Sequence, residues 1–553
     1  MVKKRGAIAF ANFSQSFLET FLDFTPEFGT IWGIDGFDHR SCDFTLKGMK
    51  AENAAYEKAY KELIKIDKRK LSKSQSLDYQ VLKAQLEIDL YDMNHSENRA
   101  IISPQDYLGF EGIDYLMDRN VRNLPKKTLS RLRYIPQTFK VAKKHIKDEI
   151  KYQPMEWVRT AIEACQDGKI FLKDILKHPK IRHSELYDAI GEATNIAEES
   201  REDYEEFLKE ILPKVQGNFA VGKRRFNLTL KKQQFLNLST DELFQFGINL
   251  FDKTKKELEK LVSETGDTII SYDKKQKNKL PPKEKIIDLY IKYKEKAIEF
   301  IHENNLAPLE HKEEMKVIKI PSYAVRSYPY VAYSLPPSFG EQIGHTLINI
   351  SSKENLEEQT YSFIRSTIIH EGYPGHHLQL TLANYQARSR KSGWIRLLNE
   401  SSTMYEGWAM YCEQLMHEQG FNKNKNDKFT LLKGRLWRAL RVQIDIGLQT
   451  KGWSYEKTKK LMVDELNFTE EAAATDLNWY IEQPGAPLGY AVGWKMINLL
   501  RDYEKDRLGK NFKLYDFHEK LLSQGSIALP LVIKESFGNE ALEQVYSEFR
   551  REL

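Results

Sequence analysis

The run Ile368-Ile369-His370-Glu371-Gly372-Tyr373-Pro374-Gly375-His376-His377 constrains this 553-residue chain more than any other segment. It begins as an apolar, helix-like stretch and then meets a Pro-Gly pair. Pro374 has no N–H to give to the carbonyl of His370, and its ring clashes there, so a regular helix cannot run through. Gly375 can take backbone conformations closed to other residues. A His followed at once by Glu in such a run opens the H-E-x-x-H signature, in which two His at i and i+4 share one helix face and one metal ion. Here position i+4 is Pro374, and the next His residues are His376 and His377. A straight helix would carry His376 about 120° out of register with His370. A bulged turn at Pro-Gly would absorb the two extra residues and return His376 to the ligand position. His377, at i+7, shares the face but lies two full turns away. Both stay open as ligands, with His376 preferred for its reach. Glu371 is then the expected general base, taking a proton from a water activated by the metal. Without a metal, the same residues are a chance His-Glu pair before an ordinary helix end.

Catalytic zinc takes three protein ligands and keeps a fourth position open. The stretch 399–413 carries Glu400, Glu406 and Glu413 among aromatic residues in a helical pattern. Glu406 lies between Tyr405 and Trp408, in the part least like a solvated face, and is the expected third ligand. Glu413, two turns on, is expected to hold a ligand His in the right tautomer. Glu400 is the reserve candidate.

The rest of the chain sets bounds. Hydrophobic residues at 41% and charged residues at 29% are those of a globular protein, long enough to form more than one lobe. The 84 basic and 79 acidic side chains leave a net charge of only +5. No basic stripe interleaves with aromatics, so a nucleic-acid partner is not expected. Cys42, Cys165 and Cys412 are few and far apart, which points to a reducing compartment with neither a disulfide framework nor a Cys-based zinc site. Lys3-Lys4-Arg5 and the apolar residues after it begin like a signal peptide, but Asn12, Ser14, Gln15 and Ser16 break the run early. No stretch approaches the roughly 18 apolar residues of a membrane span. A cytoplasmic location without a membrane partner is therefore expected.

Periodicity predicts helices over Ser74–Met93, Lys126–Tyr152, Ile190–Leu212, Asp241–Glu264 and Pro282–Asn304, with 272–285 as a solvated linker. Residues 324–334 and 345–350 read as short strands, with Pro329 and Pro336-Pro337 marking an edge. Such an edge could take an extended peptide by strand addition, or be a structural hairpin. Helical patterning returns from about residue 354. The expected organisation is a helical lobe over 1–310 and a catalytic lobe over 311–553, the second holding a small sheet and the metal-binding helices.

The strings H-E-G-Y-P-G-H-H-L-Q (370–379) and E-G-W-A-M-Y (406–411) resemble the prokaryotic family called domain of unknown function 885. So do Arg435–Arg441, Asp445–Leu448, Lys451-Gly452-Trp453 and Pro484-Gly485 leading to Tyr490. Members of that family are regarded as zincin-like metallopeptidases, distantly similar to the thimet-oligopeptidase and thermostable-carboxypeptidase groups. The resemblance covers about the last half of the chain. It fails where Gln449 replaces a His, where Trp479 replaces an Arg before Tyr480, and where Ala486-Pro487 replaces Gln-Ala. Those losses bear on the substrate more than on the metal.

The resemblance implies a mainly α, zincin-like fold: two helical lobes around a deep cleft, with a small β-sheet near the active site. It implies one Zn2+ per chain and short or unfolded peptides as substrates. It also makes Tyr490 the expected donor to the oxyanion. Arg438, Arg441 and Arg501 are either clamps for a substrate carboxylate or structural ion pairs, and His345 is structural or substrate-facing. A metal-dependent amidase or deacylase acting on a non-peptide amide would use the same core. A helical scaffold that binds a partner and performs no chemistry is the third possibility.

Overall fold

The computed structural model describes all residues but 1, 96–99, 101, 118, 120, 310–312, 327 and 329, and no side chain of residues 2–5 or 111. Among the described residues the chain is mainly helical with one three-stranded sheet. No helix there is long and apolar enough to cross a membrane. The chain divides into two compact units. One comprises Met1–Ala220 with Ser322–Arg326 and Pro337–Gly340; the other comprises Val221–Pro321, Ser327–Pro336 and Glu341–Leu553.

In the first unit the helices Lys73–Asn94 and Tyr187–Ile211 fall where periodicity places them. The former opens on a capping box between Ser72 and Gln75, which satisfies two otherwise unpaired backbone donors. The helical pattern over 126–152 is split into Leu124–Leu132 and Ile135–Asp148, because Pro136 cannot continue the hydrogen-bond ladder. The core gathers Phe139, Val158, Ala161, Tyr204 and Leu208. The Tyr204 hydroxyl within it donates to Pro104 O at 2.8 Å, so its polar end is not buried unpaired.

The second unit carries the metal-ligand candidates. Among its elements are α1 (Thr240–Ser263), α2 (Ile286–Glu303), β1 (Glu314–Lys319), β2 (Val331–Ser334), β3 (Ile343–Ile348), α3 (Tyr361–Glu371), α4 (His376–Arg388), α5 (Ser402–Glu418), α6 (Lys425–Thr450), α7 (Glu470–Glu482), α8 (Gly489–Leu508) and α9 (Leu514–Leu522). Residues 221–310, expected in the helical lobe, lie in this unit. Helix α1 buries Leu243, Phe246 and Leu250 and packs along α6, while α2 packs on α3. Periodicity reveals an apolar face but not the partner that covers it.

Strand order is β1-β3-β2, with β1 parallel and β2 antiparallel to β3. Of the stretch expected as extended from residue 324, only Val331–Ser334 is strand, Ser322–Ala324 forms a 3-10 turn, and Ser327 and Pro329 lie outside the described residues. The run at 272–285 is not all linker. Ile269–Lys277 is helical, opened by a capping box between Thr268 and Ser271, and Lys277 pairs with Glu358 and Asp273.

Helix α5 is anchored from behind by His518 on α9. The Tyr411 hydroxyl and His518 Nε2 lie 2.8 Å apart, Nδ1 bonds Leu306 O, and the ring meets Trp408 edge-on at 5.3 Å. Burial pushes the His518 pKa down to about 4, below the ordinary value of about 6.5. The folded state therefore binds fewer protons than the unfolded one. Stability is full above pH 6.5 and falls as pH drops towards 4, by about 3 kcal/mol over that window. Urea unfolding between pH 7 and 5 should show a steeper acid loss for wild type than for His518→Gln. Equal slopes would contradict the assignment.

Candidate metal centre

Helix α3 stops at Glu371 and α4 starts at His376, so the chain breaks rather than bulging within one helix as the spacing predicts. Gly372 leaves the helix at φ −110°, ψ −101°, and the Tyr373–Pro374 peptide is cis. Gly375 N then turns back to Ile369 O at 3.0 Å. No other residue fits there, since a Cβ on Gly375 would stand 2.0 Å from His370 O and 2.3 Å from Ile369 O. From α5, Trp408 Nε1 donates to Pro374 O at 2.8 Å and ties the break to that helix. The break brings the His370 and His376 rings to 4.7 Å at an angle of 85°.

Helix α5 places Glu406 between them. Its Oε2 lies 3.3 Å from Nε2 of His370 and 3.3 Å from Nε2 of His376. All three side chains are buried, and their donor atoms lie within 4.8 Å of one another. Glu406 Oε2 makes no hydrogen bond among the described residues. Ligands at 2.0–2.1 Å from a tetrahedral ion stand about 3.3–3.4 Å apart along each edge, so both spacings fit a metal better than they fit direct hydrogen bonds. Behind His370, Nδ1–H donates to Glu413 Oε1 at 2.7 Å, and Glu413 Oε2 accepts from Ser366 Oγ at 3.0 Å. With Nδ1 so engaged, Nε2 is the ring nitrogen that faces the Glu406 carboxylate. Burial alone would lower the His370 pKa, but Glu406, Glu413 and Glu371 outweigh it and push it up to about 10. Burial would likewise raise the Glu406 carboxyl, yet the two imidazoles hold it well below the usual range. The site is built for a positive charge.

The other sequence candidates divide. His377 is turned away to the sheet: its Nδ1 meets the Tyr333 hydroxyl of β2 at 2.7 Å, and burial drives its pKa down to about 3. Glu371 keeps some open surface, yet the crowding of protein atoms raises its carboxyl above the ordinary value against the pull of His370 and His376. Tyr490, on α8, lies nearly parallel to His370 with ring centres 6.4 Å apart. Burial first and then the Glu406 carboxylate, which its hydroxyl reaches, push its pKa far up. Glu400 stands outside the His370, His376 and Glu406 group, and burial pushes its carboxyl up to about 7. Arg501 pairs with Glu418 at 2.8 Å, and His345 lies on β3 opposite Ser334. Gln449 proves to be a tether. It accepts from Val221 N at 2.9 Å and its amide lies 3.4 Å from Tyr480 O.

Sequence reasoning missed three supports. Ser366 lies one turn before His370 on the same face, a spacing that could have revealed it. Asp445, fully buried, accepts from Gly485 N at 3.1 Å and Leu488 N at 3.4 Å, fixing the loop that launches α8 and Tyr490. The third is the crossing of α5 and α8. A Cβ on Gly407 would stand 2.6 Å from Gly493 Cα, and one on Gly493 only 2.0 Å from Thr403 O. Back-to-back glycines let these helices approach closely enough for Glu406 and Tyr490 to meet.

The chain belongs to the family described as bacterial proteins of unknown function (DUF885), whose model matches residues 26–535. Its fold is shared by two solved structures, each of a candidate lipoprotein. One, of unknown function, is from Shewanella oneidensis, with a TM-score of 0.75 and 21% identity over 95% of this chain and 98% of that one. The other is from Colwellia psychrerythraea, with a TM-score of 0.81 and 17% identity over 100% of both chains. At these identities the likeness shows the fold alone. No curated protein matches the chain significantly.

The glycine crossing gives a stability test. Gly493→Ala should force α5 and α8 apart and cost about 1–3 kcal/mol, read as a lower urea midpoint. An unchanged midpoint would contradict the close crossing.

Proposed function

We propose that the chain is a zinc-dependent peptidase of the zincin type, acting on short or unfolded peptides. The observation that carries this reading is Glu406 Oε2, buried, without a hydrogen bond among the described residues, and 3.3 Å from both His370 Nε2 and His376 Nε2. Two imidazoles and one carboxylate form a donor set that catalytic zinc takes. Bound there, zinc would polarise the scissile carbonyl and ease deprotonation of a water.

The chain's own residues do the rest. His370, His376 and Glu406 hold the ion, and Glu413 keeps His370 in the tautomer that leaves Nε2 free. Glu371 accepts the proton of the attacking water and delivers it to the leaving amine. A carboxyl with a raised pKa suits both tasks, because it holds a proton more readily than an ordinary glutamate. The Tyr490 hydroxyl, already beside Glu406, donates to the oxygen on which negative charge develops.

Metal content of wild type, His376→Ala and His377→Asn tests the ligand set. We expect about one zinc per chain in the first and third, and loss in His376→Ala. Glu371→Gln should keep its zinc and lose roughly 100- to 10,000-fold in kcat on a peptide library read by mass spectrometry. Tyr490→Phe should lose roughly 100- to 1,000-fold. Full activity in Glu371→Gln would remove the general-base assignment. No zinc in wild type at saturating metal would overturn the whole proposal.

A further inference from the structure

We propose that Arg441 and Arg438 form a subsite for a carboxylate of the substrate, beside the metal-ligand trio and close to the bond to be cut. This rests on the peptidase reading above and adds a substrate class to it: short peptides anchored by a free C-terminus or by an acidic side chain.

The two arginines lie one turn apart on α6. Their Cζ atoms stand 4.1 Å (Arg441) and 4.6 Å (Arg438) from the centre of the Trp437 ring, and 4.5 Å and 5.7 Å from that of Tyr490. Both guanidinium groups therefore gather around the phenol that reaches Glu406. Arg441 is only 5% exposed. Its Nε donates to the Tyr480 hydroxyl at 2.6 Å, its Nη2 stands a long 3.5 Å from each oxygen of Asp476, and its buried Nη1 has no partner among the described residues. Arg438 Nε is likewise buried without a partner, Nη1 lies 3.4 Å from Gly434 O, and Nη2 lies 4.0 Å from Glu413 Oε1.

The nearby carboxylates are already engaged. Asp476 Oδ2 accepts from Tyr480 at 2.6 Å and from Trp437 Nε1 at 2.9 Å. Glu413 serves His370 and Ser366, and Glu406 faces the two imidazoles. Arg441 thus meets Asp476 only at 3.5 Å and Arg438 meets Glu413 only at 4.0 Å, each carboxylate being held more closely by other donors. A buried N–H left unpaired is costly, and a planar guanidinium pairs best with a carboxylate. Trp437, Trp479 and Tyr490 wall the place with rings, so an incoming carboxylate would be bound out of bulk water, where the attraction is stronger.

The location also fixes where the bond is cut. Arg441 Cζ is 4.5 Å from the centre of Tyr490, which is 6.4 Å from that of His370. Arg441 therefore lies at most about 11 Å from the His370 ring, the span of about three extended residues. A carboxylate held there leaves the scissile bond within the last few residues before it.

The test uses full-length, zinc-loaded protein and one neutral tripeptide sequence in three forms: free acid, C-terminal amide, and amide ending in an Asp side chain. Calorimetry on Glu371→Gln measures binding without turnover, and mass spectrometry on wild type measures cleavage. We expect the free acid to bind about 10- to 100-fold more tightly than the neutral amide. Arg441→Gln, introduced into Glu371→Gln, should erase most of that gap. Equal tightness of the free acid and the Asp-bearing amide would mean that any carboxylate serves; tightness of the free acid alone would make the terminus the anchor. Either result supports the subsite. If Arg441→Gln fails to fold, Arg438→Gln and the wild-type comparison of acid with amide still decide. Equal binding of all three forms would overturn the proposal. Acid-selective binding without cleavage would keep the subsite and overturn the peptidase reading. Cleavage of acid and amide alike would do the reverse.

Discussion

A carboxylate oxygen buried between two imidazole nitrogens needs a positive charge among them. Glu406 Oε2 sits 3.3 Å from each Nε2 and forms no hydrogen bond among the described residues. A lone pair facing a carboxylate in a dry site repels it unless a proton or a metal ion lies between. The Glu413 carboxylate fixes which nitrogen faces inward by accepting a hydrogen bond from His370 Nδ1–H at 2.7 Å. Glu371, Tyr490 and Arg441 interact electrostatically with this cluster.

One helix ends and the next begins at this cluster. A His pair on one straight helix would be separated by one turn, whereas here the ligand candidates are the next-to-last residue of α3 and the first residue of α4. The turn between them is held by a close approach that only Gly375 permits and by the bond from Trp408 to Pro374 O. The same helix that supplies Trp408 supplies Glu406 and Glu413, so break and ligands are positioned by one rigid element. Its crossing with α8, glycine against glycine, then sets Tyr490 beside His370 and Glu406. Asp445 holds the start of α8 from below. Residues that look like loop punctuation in the sequence therefore set distances in the site.

Much of this was legible and some was not. The helical character could be read from periodicity, because a side chain's face depends on it, and His370, His376 and Glu406 could be picked out by residue type, although His370 and His376 stand off helical register. What depends on distant partners could not. Nothing local tells a bulge from a break at Pro374. The difference lies in Trp408, thirty-four residues on in sequence. The alternation of Met315 and Val317 with Glu314 and Lys316 did signal β1, but a run that short is easily passed over beside helical neighbours. Helices α1 and α2 show their apolar faces in sequence without naming α6 and α3 as the surfaces that cover them. Gln449 and Arg441 show the same limit. Gln449, standing where the family has a His, is a tether; Arg441, open in sequence between a carboxylate clamp and an ion pair, keeps a buried donor without a partner among the described residues.

Crystals of the zinc-loaded protein, measured on both sides of the zinc absorption edge, would test the central claim most directly. The account predicts one anomalous peak at about 2.0–2.2 Å from His370 Nε2, His376 Nε2 and a Glu406 carboxylate oxygen, with a fourth position left to solvent. His377 should remain on Tyr333. A peak coordinated by His377, or no peak at this trio in crystals saturated with zinc, would contradict it.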